Sequence, residues 1–297
     1  MSNPNDREIY AGISGIQFEF EKFELGQGIY FQKTYAHIFA PFMAAFKRPE
    51  KGKAHPAPWK SIKGGVAYDI EYELFVPINL NTENWFDRLN TVWWIIALMR
   101  LKCSSLISVP VISDMSFSKI AEEKSEPFFF TVETDSHRLF PEDTLKFSVS
   151  TEELAWIHKY WQSAGILMNK SENFNTAFTA IDRSVFDKRV SIALMTLWGA
   201  LERIFSPGHS ELRYRVALNI AAFLEKPSDE RIKLYKKIQK LYDARSKAAH
   251  GSPTEDLQEF RDTYNLLKRC LIKMIEENYI PTQNDLERIV LKNETTT

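Results

Sequence analysis

The sequence predicts an α+β fold, in which a strand-rich N-terminal domain of residues 1–148 precedes an all-α helical domain of residues 149–297. Runs rich in Phe, Tyr, Ile and Val, partly alternating with polar residues, occupy the first half and are typical of strands. Near residues 141–150 this pattern ends, and apolar residues then recur at helical spacing. A length of 297 residues also suits two domains of ordinary size better than one.

The N-terminal domain is expected to hold five strands and one helix. Residues 47–65 concentrate Pro, Gly and Lys and therefore predict an exposed connection between strands. Residues 82–102 place Trp85, Val92 and Met99 among apolar residues at helical spacing, and we expect this helix to cover the sheet. The strands are expected at residues 13–20, 28–39, 66–76, 105–113 and 127–133.

The helical domain is expected to begin with a capping box. Ser150 and Glu153 have the S-x-x-E spacing that caps a helix, here predicted through Met168. Breaks follow at Pro207 and Pro227, and a second capping box is expected at residues 252–255. Further helices are expected near residues 171–184, 187–206, 210–225, 228–250, 253–278 and 284–292.

The predicted helix 228–250 carries a charge where apolar residues are expected. Arg245 falls near the middle of its apolar stripe, three residues after Tyr242. A guanidinium in such a place needs an anion, because burying it unpaired costs several kcal/mol. Glu202, on the edge of the apolar face of helix 187–206, is a candidate partner. Two interpretations remain open, a structural ion pair that joins two helices and an active-site pair.

His250 ends the same helix and also has two interpretations. A histidine at a helix C-terminus often caps free carbonyls and interacts with the helix dipole. It can equally carry a proton near neutral pH, for example when a ribose 2′-OH attacks the adjacent phosphate of RNA. Five residues separate it from Arg245, so the two side chains can converge only because His250 lies at the helix end.

Lysines lie on the opposite face of this helix, among them Lys240 and Lys247. They suit either a solvated surface or a track that contacts phosphates. Residues 185–273 hold 17 Lys and Arg against 11 Asp and Glu, whereas residues 1–150 hold 16 against 19. The basic charge is thus concentrated in the helical domain, which agrees with an RNA-binding role and equally with an ordinary solvated surface.

The Arg-x4-His spacing within YDARSKAAHG, preceded by ALERIF at residues 200–205, resembles a HEPN domain. Residues 150–278 resemble the ApeA-like HEPN group in particular. This resemblance implies a helical bundle that dimerises so that two such motifs meet in a cleft, commonly a metal-independent endoribonuclease site in toxin or anti-phage systems. The site residues expected on this basis are Arg245, His250 and Glu202 for catalysis and Ser246, Lys247, Lys240 and Tyr242 for substrate binding.

The expected partners are RNA, for instance tRNA, a second copy of the chain through the helical domain, and an antitoxin or sensor protein. No cofactor or metal is expected, since the two cysteines have no CxxC spacing and the histidines no ligand spacing. The most apolar run, residues 92–99, is far shorter than the roughly 20 residues that cross a bilayer. With no basic and apolar leader at the N-terminus, a cytoplasmic location is expected.

Two other function classes stay open. The same bundle could act as a non-catalytic module that dimerises or binds RNA or a protein partner, in which case the pair of Arg245 and Glu202 is structural. A nucleotide-binding or nucleotidyltransferase-associated protein is less well supported, because the sequence has no Gly-rich phosphate loop or paired-carboxylate metal motif.

Overall fold

A computed structural model describes residues 6–124, 129–131, 139–142, 146–206, 212–249 and 256–291, with the backbone alone at 40–42, 63–66, 129–131 and 247–249. The chain forms two compact units. The strand unit comprises residues 1–80 and 107–134, and the helical unit comprises residues 81–106 and 135–297. An antiparallel sheet followed by helices confirms the predicted α+β class.

The strand unit is built on a six-stranded antiparallel sheet. Its order is β3-β4-β5-β1-β6-β7, so β1, the first strand in the chain, lies inside the sheet between β5 and β6. The strand bounds in this unit, including the short strand β2, are β1 Ile9–Ser14, β2 Gln17–Phe18, β3 Lys22–Gly26, β4 Ile29–Ala45, β5 Trp59–Val76, β6 Ser108–Ser113 and β7 Phe129–Thr131. A further short strand, β8 Ser148–Val149, belongs to the helical unit.

A buried carboxylate ties several parts of this unit together. Glu73 in β5 is fully buried and accepts hydrogen bonds from Gln32 Nε2 at 2.6 Å, Ser116 Oγ at 2.6 Å and the Phe117 amide at 2.8 Å. Burial raises the pKa of Glu73, while the three donors act in the opposite direction. Because each donor satisfies an oxygen that is shielded from water, β4, β5 and the segment after β6 are held in register.

The longest hairpin extends past the rest of the sheet. β4 and β5 pair from Tyr30 opposite Phe75 to Ala45 opposite Trp59, whereas β1 pairs with β5 only at residues 72–76. We call the extension, residues 35–70, the arm. The expected strands 28–39 and 66–76 are thus confirmed but too short, since β4 continues to Ala45 and β5 already begins at Trp59, inside the predicted connection 47–65. Cross-strand pairing prevails there over a composition rich in Pro, Gly and Lys.

The other strand predictions are only partly correct. The run 13–20 is divided between the end of β1 and the two residues of β2, and β3 was not predicted. β6 and β7 lie inside the expected ranges 105–113 and 127–133. β3 forms a tight hairpin with β4, with Gly26 opposite Ile29, but only its Leu25 is buried, so the alternation that marks a strand is weak there.

The described part of the helical unit contains eight helices, and those after residue 149 agree with the predictions to within a few residues, except at one start. The capping box of Ser150 and Glu153 is confirmed. α7 begins at Leu257 with Asp256 as its N-cap, about four residues later than expected, because the Asp256 carboxylate accepts the Gln258 amide at 2.8 Å. The bounds are α1 Arg88–Lys102, α2 Thr151–Lys170, α3 Glu172–Ser184, α4 Val190–Phe205, α5 Leu212–Leu224, α6 Asp229–Ala249, α7 Leu257–Glu277 and α8 Gln283–Leu291.

α1 belongs to the helical unit, although the sequence placed it as a cover in the N-terminal domain. Its buried Trp94 donates a hydrogen bond from Nε1 to the Trp161 carbonyl of α2 at 2.7 Å, and its ring packs at a tilt against the Phe178 ring of α3, with 4.6 Å between the ring centroids. Residues 81–106 therefore leave the strand unit, and the predicted boundary at 148/149 does not coincide with the division of the chain. Because strands precede and follow this helix in the sequence, the sequence pattern predicts one domain for all of them. The packing of Trp94 shows that α1 belongs to the helical unit instead.

None of the helices in the described residues combines the length and the apolar character needed to cross a bilayer. The core of the helical unit instead gathers large side chains from separate helices, each less than 2% exposed. They include Trp161, Phe174, Trp198, Phe205 and Phe260. This core fixes the relative positions of α4 and α6, which carry the candidate site.

Candidate functional site

The candidate site lies where α4 packs against α6. Both helices are amphipathic, and each buries its apolar face against the other elements of the unit. On α4, Trp198 and Leu201 are buried, while Glu202 lies at the edge of the same face. On α6, Tyr242 is buried one turn before Arg245. Helical periodicity on both elements thus brings an acidic side chain, Glu202, and a basic one, Arg245, to the interface between α4 and α6, which we call the α4–α6 seam.

Arg245 and Glu202 form an ion pair across that seam. Arg245 Nε lies 3.1 Å from Glu202 Oε1, and Nη2 donates to Oε2 at 3.3 Å. The arginine side chain is 29% exposed and the glutamate side chain 17% exposed. The anion predicted for Arg245 is therefore present. Glu202 anchors the guanidinium, and part of the arginine side chain still faces solvent.

The guanidinium keeps unused hydrogen-bonding capacity. An arginine has five N–H donors, and the described contacts engage the Nη2 group in a hydrogen bond. The buried Nε–H lies close to Glu202 but makes no hydrogen bond of good geometry. Glu202 thus holds the Arg245 guanidinium from one side, and the remaining N–H groups can donate to a second acceptor such as a phosphate oxygen.

Tyr242 contacts both members of the ion pair. Its hydroxyl donates to Glu202 Oε1 at 2.8 Å, and its ring lies 5.6 Å from the Arg245 guanidinium and edge-on to Trp198 at 5.1 Å. Burial and the neighbouring carboxylate raise the pKa of Tyr242 to about 12, against the opposing effect of Arg245. The hydroxyl therefore stays protonated and orients Glu202, and it is poorly suited to act as a base near neutral pH.

The remaining predicted residues are less closely associated with this cluster. Ser246 follows Arg245 and is half-buried, and Lys240 is exposed on α6. Lys247 lies in the last turn of α6, but its side chain is outside the described atoms, and His250 lies outside the described residues altogether. Of the seven predicted site residues, the structure therefore brings three into contact, namely Glu202, Tyr242 and Arg245.

A second ion pair nearby was not predicted. Arg213 of α5 contacts Asp243 of α6 with both ends of its fork, at 2.7 and 2.9 Å, and both side chains are about half exposed. The two residues are 30 positions apart and follow no motif, so local spacing offers no signal. The exposed pair joins α5 to α6 beside the candidate site, and it supplies a matched arginine for comparison with Arg245.

Among the residues that the structure describes, no three His, Cys, Asp or Glu side chains gather closely enough to hold a metal ion. Both cysteines are buried and unpaired, and burial raises the pKa of the Cys103 thiol to about 12 and that of Cys270 further. No protein-family model, curated protein or solved structure matched the chain. The geometry of the α4–α6 seam and the sequence motif around it therefore carry the functional argument.

Proposed function

We propose that this chain is a metal-independent endoribonuclease of the HEPN type. In this reaction the ribose 2′-OH attacks the adjacent phosphate and the 5′-oxygen leaves. The observation that carries the proposal is the Arg245 guanidinium, which Glu202 anchors while 29% of the side chain remains exposed. Such a cation is preorganised for the charge that develops on a phosphate in the transition state.

Each residue of the motif has a distinct role in the proposed reaction. Arg245 binds the scissile phosphate, and Glu202 orients Arg245, with the Tyr242 hydroxyl fixing the carboxylate. His250 transfers the proton; this role rests on the Arg-x4-His spacing, because its position is not among the described residues. Ser246, Lys240 and Lys247 would contact neighbouring phosphates along α6.

A second copy of the chain is part of the proposal. In-line cleavage uses both a base and an acid, and the motif contains one histidine. A stripe on α4 offers a surface for the second copy, since Ile192 and Met195 are 50% and 48% exposed and the space beside Gly199 is open. These residues follow at helical spacing and continue to Glu202. A two-fold axis that passes through this stripe would pair the stripe with its copy and place the two motifs across one cleft.

A non-catalytic module is the second candidate function, and the same cluster favours it in one respect. The Tyr242 hydroxyl and one end of Arg245 are both engaged with Glu202, and this contact joins α4 to α6. A pair with that geometry can serve the bundle alone. In that case the α4 stripe would only mediate dimerisation or bind a protein partner.

The proposed context is an anti-phage or toxin effector that acts in the cytoplasm. RNA, for instance tRNA, would be the substrate, and the strand unit or a separate antitoxin or sensor protein would restrain cleavage until a trigger arrives. These assignments follow the resemblance of residues 150–278 to the ApeA-like HEPN group.

The experiment that separates the two candidates is RNA cleavage in EDTA. The full chain is incubated with tRNA and with a defined single-stranded RNA, and the products are analysed for the 2′,3′-cyclic phosphate ends that 2′-OH attack leaves. Arg245→Lys should slow the formation of these products by at least about a hundredfold and His250→Ala should abolish it, whereas Arg213→Lys, a change in the exposed ion pair nearby, should do neither. Absence of cleavage by the folded wild-type chain would favour the non-catalytic module, and cleavage that persists in both motif variants would show that it does not come from this motif.

A further inference from the structure

The arm of the strand unit exposes an unusual number of large apolar side chains. Of those described as exposed in this unit, all but Ile78 lie on the arm, and each is between 48% and 67% exposed. Folding alone does not require large apolar side chains to be exposed to solvent, so the concentration of these side chains on one hairpin indicates a contact surface. The residues are Tyr35, Phe39, Met43, Phe46, Trp59 and Ile62.

The strand register shows which of these rings share a face. Phe39 is opposite Ala67 and His37 is opposite Asp69, so these side chains project from one face of the hairpin. The alternating residues Ala36 and Ile38, on the other face, pack into the apolar cluster around Ile70. The rings near the base of the arm therefore point away from the core of the unit.

The distal part of the arm continues this exposed surface. Met43 pairs with Ser61 and Ala45 with Trp59, and Phe46 follows at the end of β4. At about 3.3 Å per residue, the ten residues from Ala36 to Ala45 extend over about 30 Å. Exposed rings are thus distributed along a ribbon that is long enough to contact several successive monomers of an extended polymer.

The same ribbon is strongly basic. Residues 46–63 contain six Lys and Arg against a single acid, Glu50, in a half of the chain that otherwise carries an excess of acids. Glu50 pairs with Lys53 at 2.5 Å, and both are exposed. The other described basic side chains of the segment are also exposed, namely Lys47, Arg48, Lys51 and Lys60. This charge is complementary to a phosphate backbone.

We propose that the arm binds single-stranded RNA, with bases stacked on Phe39, Phe46 and Trp59 and phosphates beside the basic residues of the distal loop. Exposed rings interleaved with lysines are what a single strand needs, because every base offers a face for stacking and every phosphate a charge. The choice of RNA over DNA rests on the proposed function. The choice of a single-stranded nucleic acid rests on the arm itself.

An anionic membrane is the principal alternative partner, and the arrangement of the hairpin disfavours it. A hairpin that enters a bilayer tip first needs apolar side chains at its tip, because charged groups are costly in the hydrocarbon region. Here the described loop between Phe46 and Trp59 carries charged residues and no large apolar side chain, and the exposed rings lie at its two ends and on the strands behind it. The loop would therefore hold the rings away from the lipid.

The test measures binding apart from cleavage. A fluorescent 2′-O-methyl oligouridylate of about 12 nucleotides has no free 2′-OH to attack its phosphates, so anisotropy with the full chain reports affinity alone. The double variant Phe39→Ala/Trp59→Ala should weaken binding at least about tenfold, since each stacked ring contributes substantially to affinity. Exposed rings of the helical unit supply the matched control, Trp85→Ala/Phe147→Ala, which should bind as the wild type does.

A second pair of variants tests the charges. Lys51→Gln/Lys53→Gln should lower the slope of log affinity against log salt by about 1.4, that is about 0.7 for each lost phosphate contact on a single strand. Lys124→Gln, an exposed lysine of the same unit outside the arm, should leave the slope unchanged. The thermal melts of all these surface variants should coincide with that of the wild type.

Three outcomes would overturn the arm proposal. The first is unchanged RNA affinity in the Phe39→Ala/Trp59→Ala variant. The second is binding to phosphatidylserine vesicles, but not to RNA, that the same variant abolishes. The third is a change of oligomeric state in that variant while its RNA affinity is preserved, which would make the arm an interface between copies. Because the probe cannot be cleaved, weak arm binding and absent nuclease activity are separate results, and neither implies the other.

Discussion

Replacing Arg245 by Lys keeps a positive charge at the α4–α6 seam but removes the planar fork. At a separation of 3.1 Å and an effective dielectric constant of about 20, the gross attraction between Arg245 and Glu202 is about 5 kcal/mol. Desolvation offsets most of it, because neither side chain is more than a third exposed. A lysine retains part of the net attraction that is left, so we expect the variant to lose about 1 kcal/mol of unfolding free energy.

The effect on cleavage should be much larger than the effect on stability. If Arg245 binds the scissile phosphate while Glu202 holds its other side, a single ammonium cannot make both contacts in one geometry. Removing one preorganised donor from a developing oxyanion typically slows a reaction by a factor of about 100 to 1000. We therefore expect the single-turnover cleavage rate to fall by at least about a hundredfold.

The assay compares single-turnover cleavage in EDTA with urea unfolding for the wild type, Arg245→Lys and Arg213→Lys. Arg213 forms a fork contact of similar length with Asp243 in the same bundle, so its variant reports the cost of losing a fork outside the proposed site. A wild-type rate in folded Arg245→Lys would refute the phosphate-binding role. Equal rate losses in both variants would indicate that the bundle, and not the site, had been perturbed.

Three further predictions concern the same unit. His250→Ala should abolish cleavage while shifting the melting temperature little, and a folded variant with full activity would remove His250 from the mechanism. Met195→Arg, at an exposed position, should give a monomer by light scattering together with loss of cleavage; an active monomer would contradict the dimer. Tyr242→Phe should lose about 2 kcal/mol of unfolding free energy, because a hydrogen bond to Glu202 disappears. Since the folded-state pKa of Tyr242 is raised from 10 to about 12, this difference should be complete below pH 10 and vanish as the pH rises toward 12; a gap that widens in alkaline urea titrations would be contrary evidence.

The helical part of the fold was predictable because its signals are local. A capping box at Ser150 and apolar spacing along α4 and α6 involve residues within a turn or two of each other. The pairing of Arg245 with Glu202 followed from the same periodicity, since a charge inside an apolar stripe requires an anion on a facing helix. The hydroxyl of Tyr242 that completes the cluster was predicted only as a substrate contact, because sequence spacing does not show how deeply a ring is buried.

What escaped prediction depends on contacts between distant residues. The pairing that extends β4 and β5 into the arm joins residues up to 34 positions apart, Ala36 and Ile70, and its Pro- and Lys-rich segment resembles an ordinary loop. The transfer of α1 to the helical unit depends on Trp94 reaching the carbonyl of Trp161. No periodicity within α1 contains that information.

The interleaving of the two units has a consequence for the order in which the chain can fold during synthesis. β1 is made first but lies between β5 and β6, so it cannot have both of its neighbours until residue 113 has been made. By then α1 has already emerged, with Trp94 uncovered until α2 and α3 follow. A fragment that starts at residue 149 would lack α1 and expose the surface around Trp161, whereas one that ends at residue 106 would lack β6. Neither unit can be obtained by a single cut of the gene, and separate expression requires joining residues 80 and 107 for one unit and residues 106 and 135 for the other.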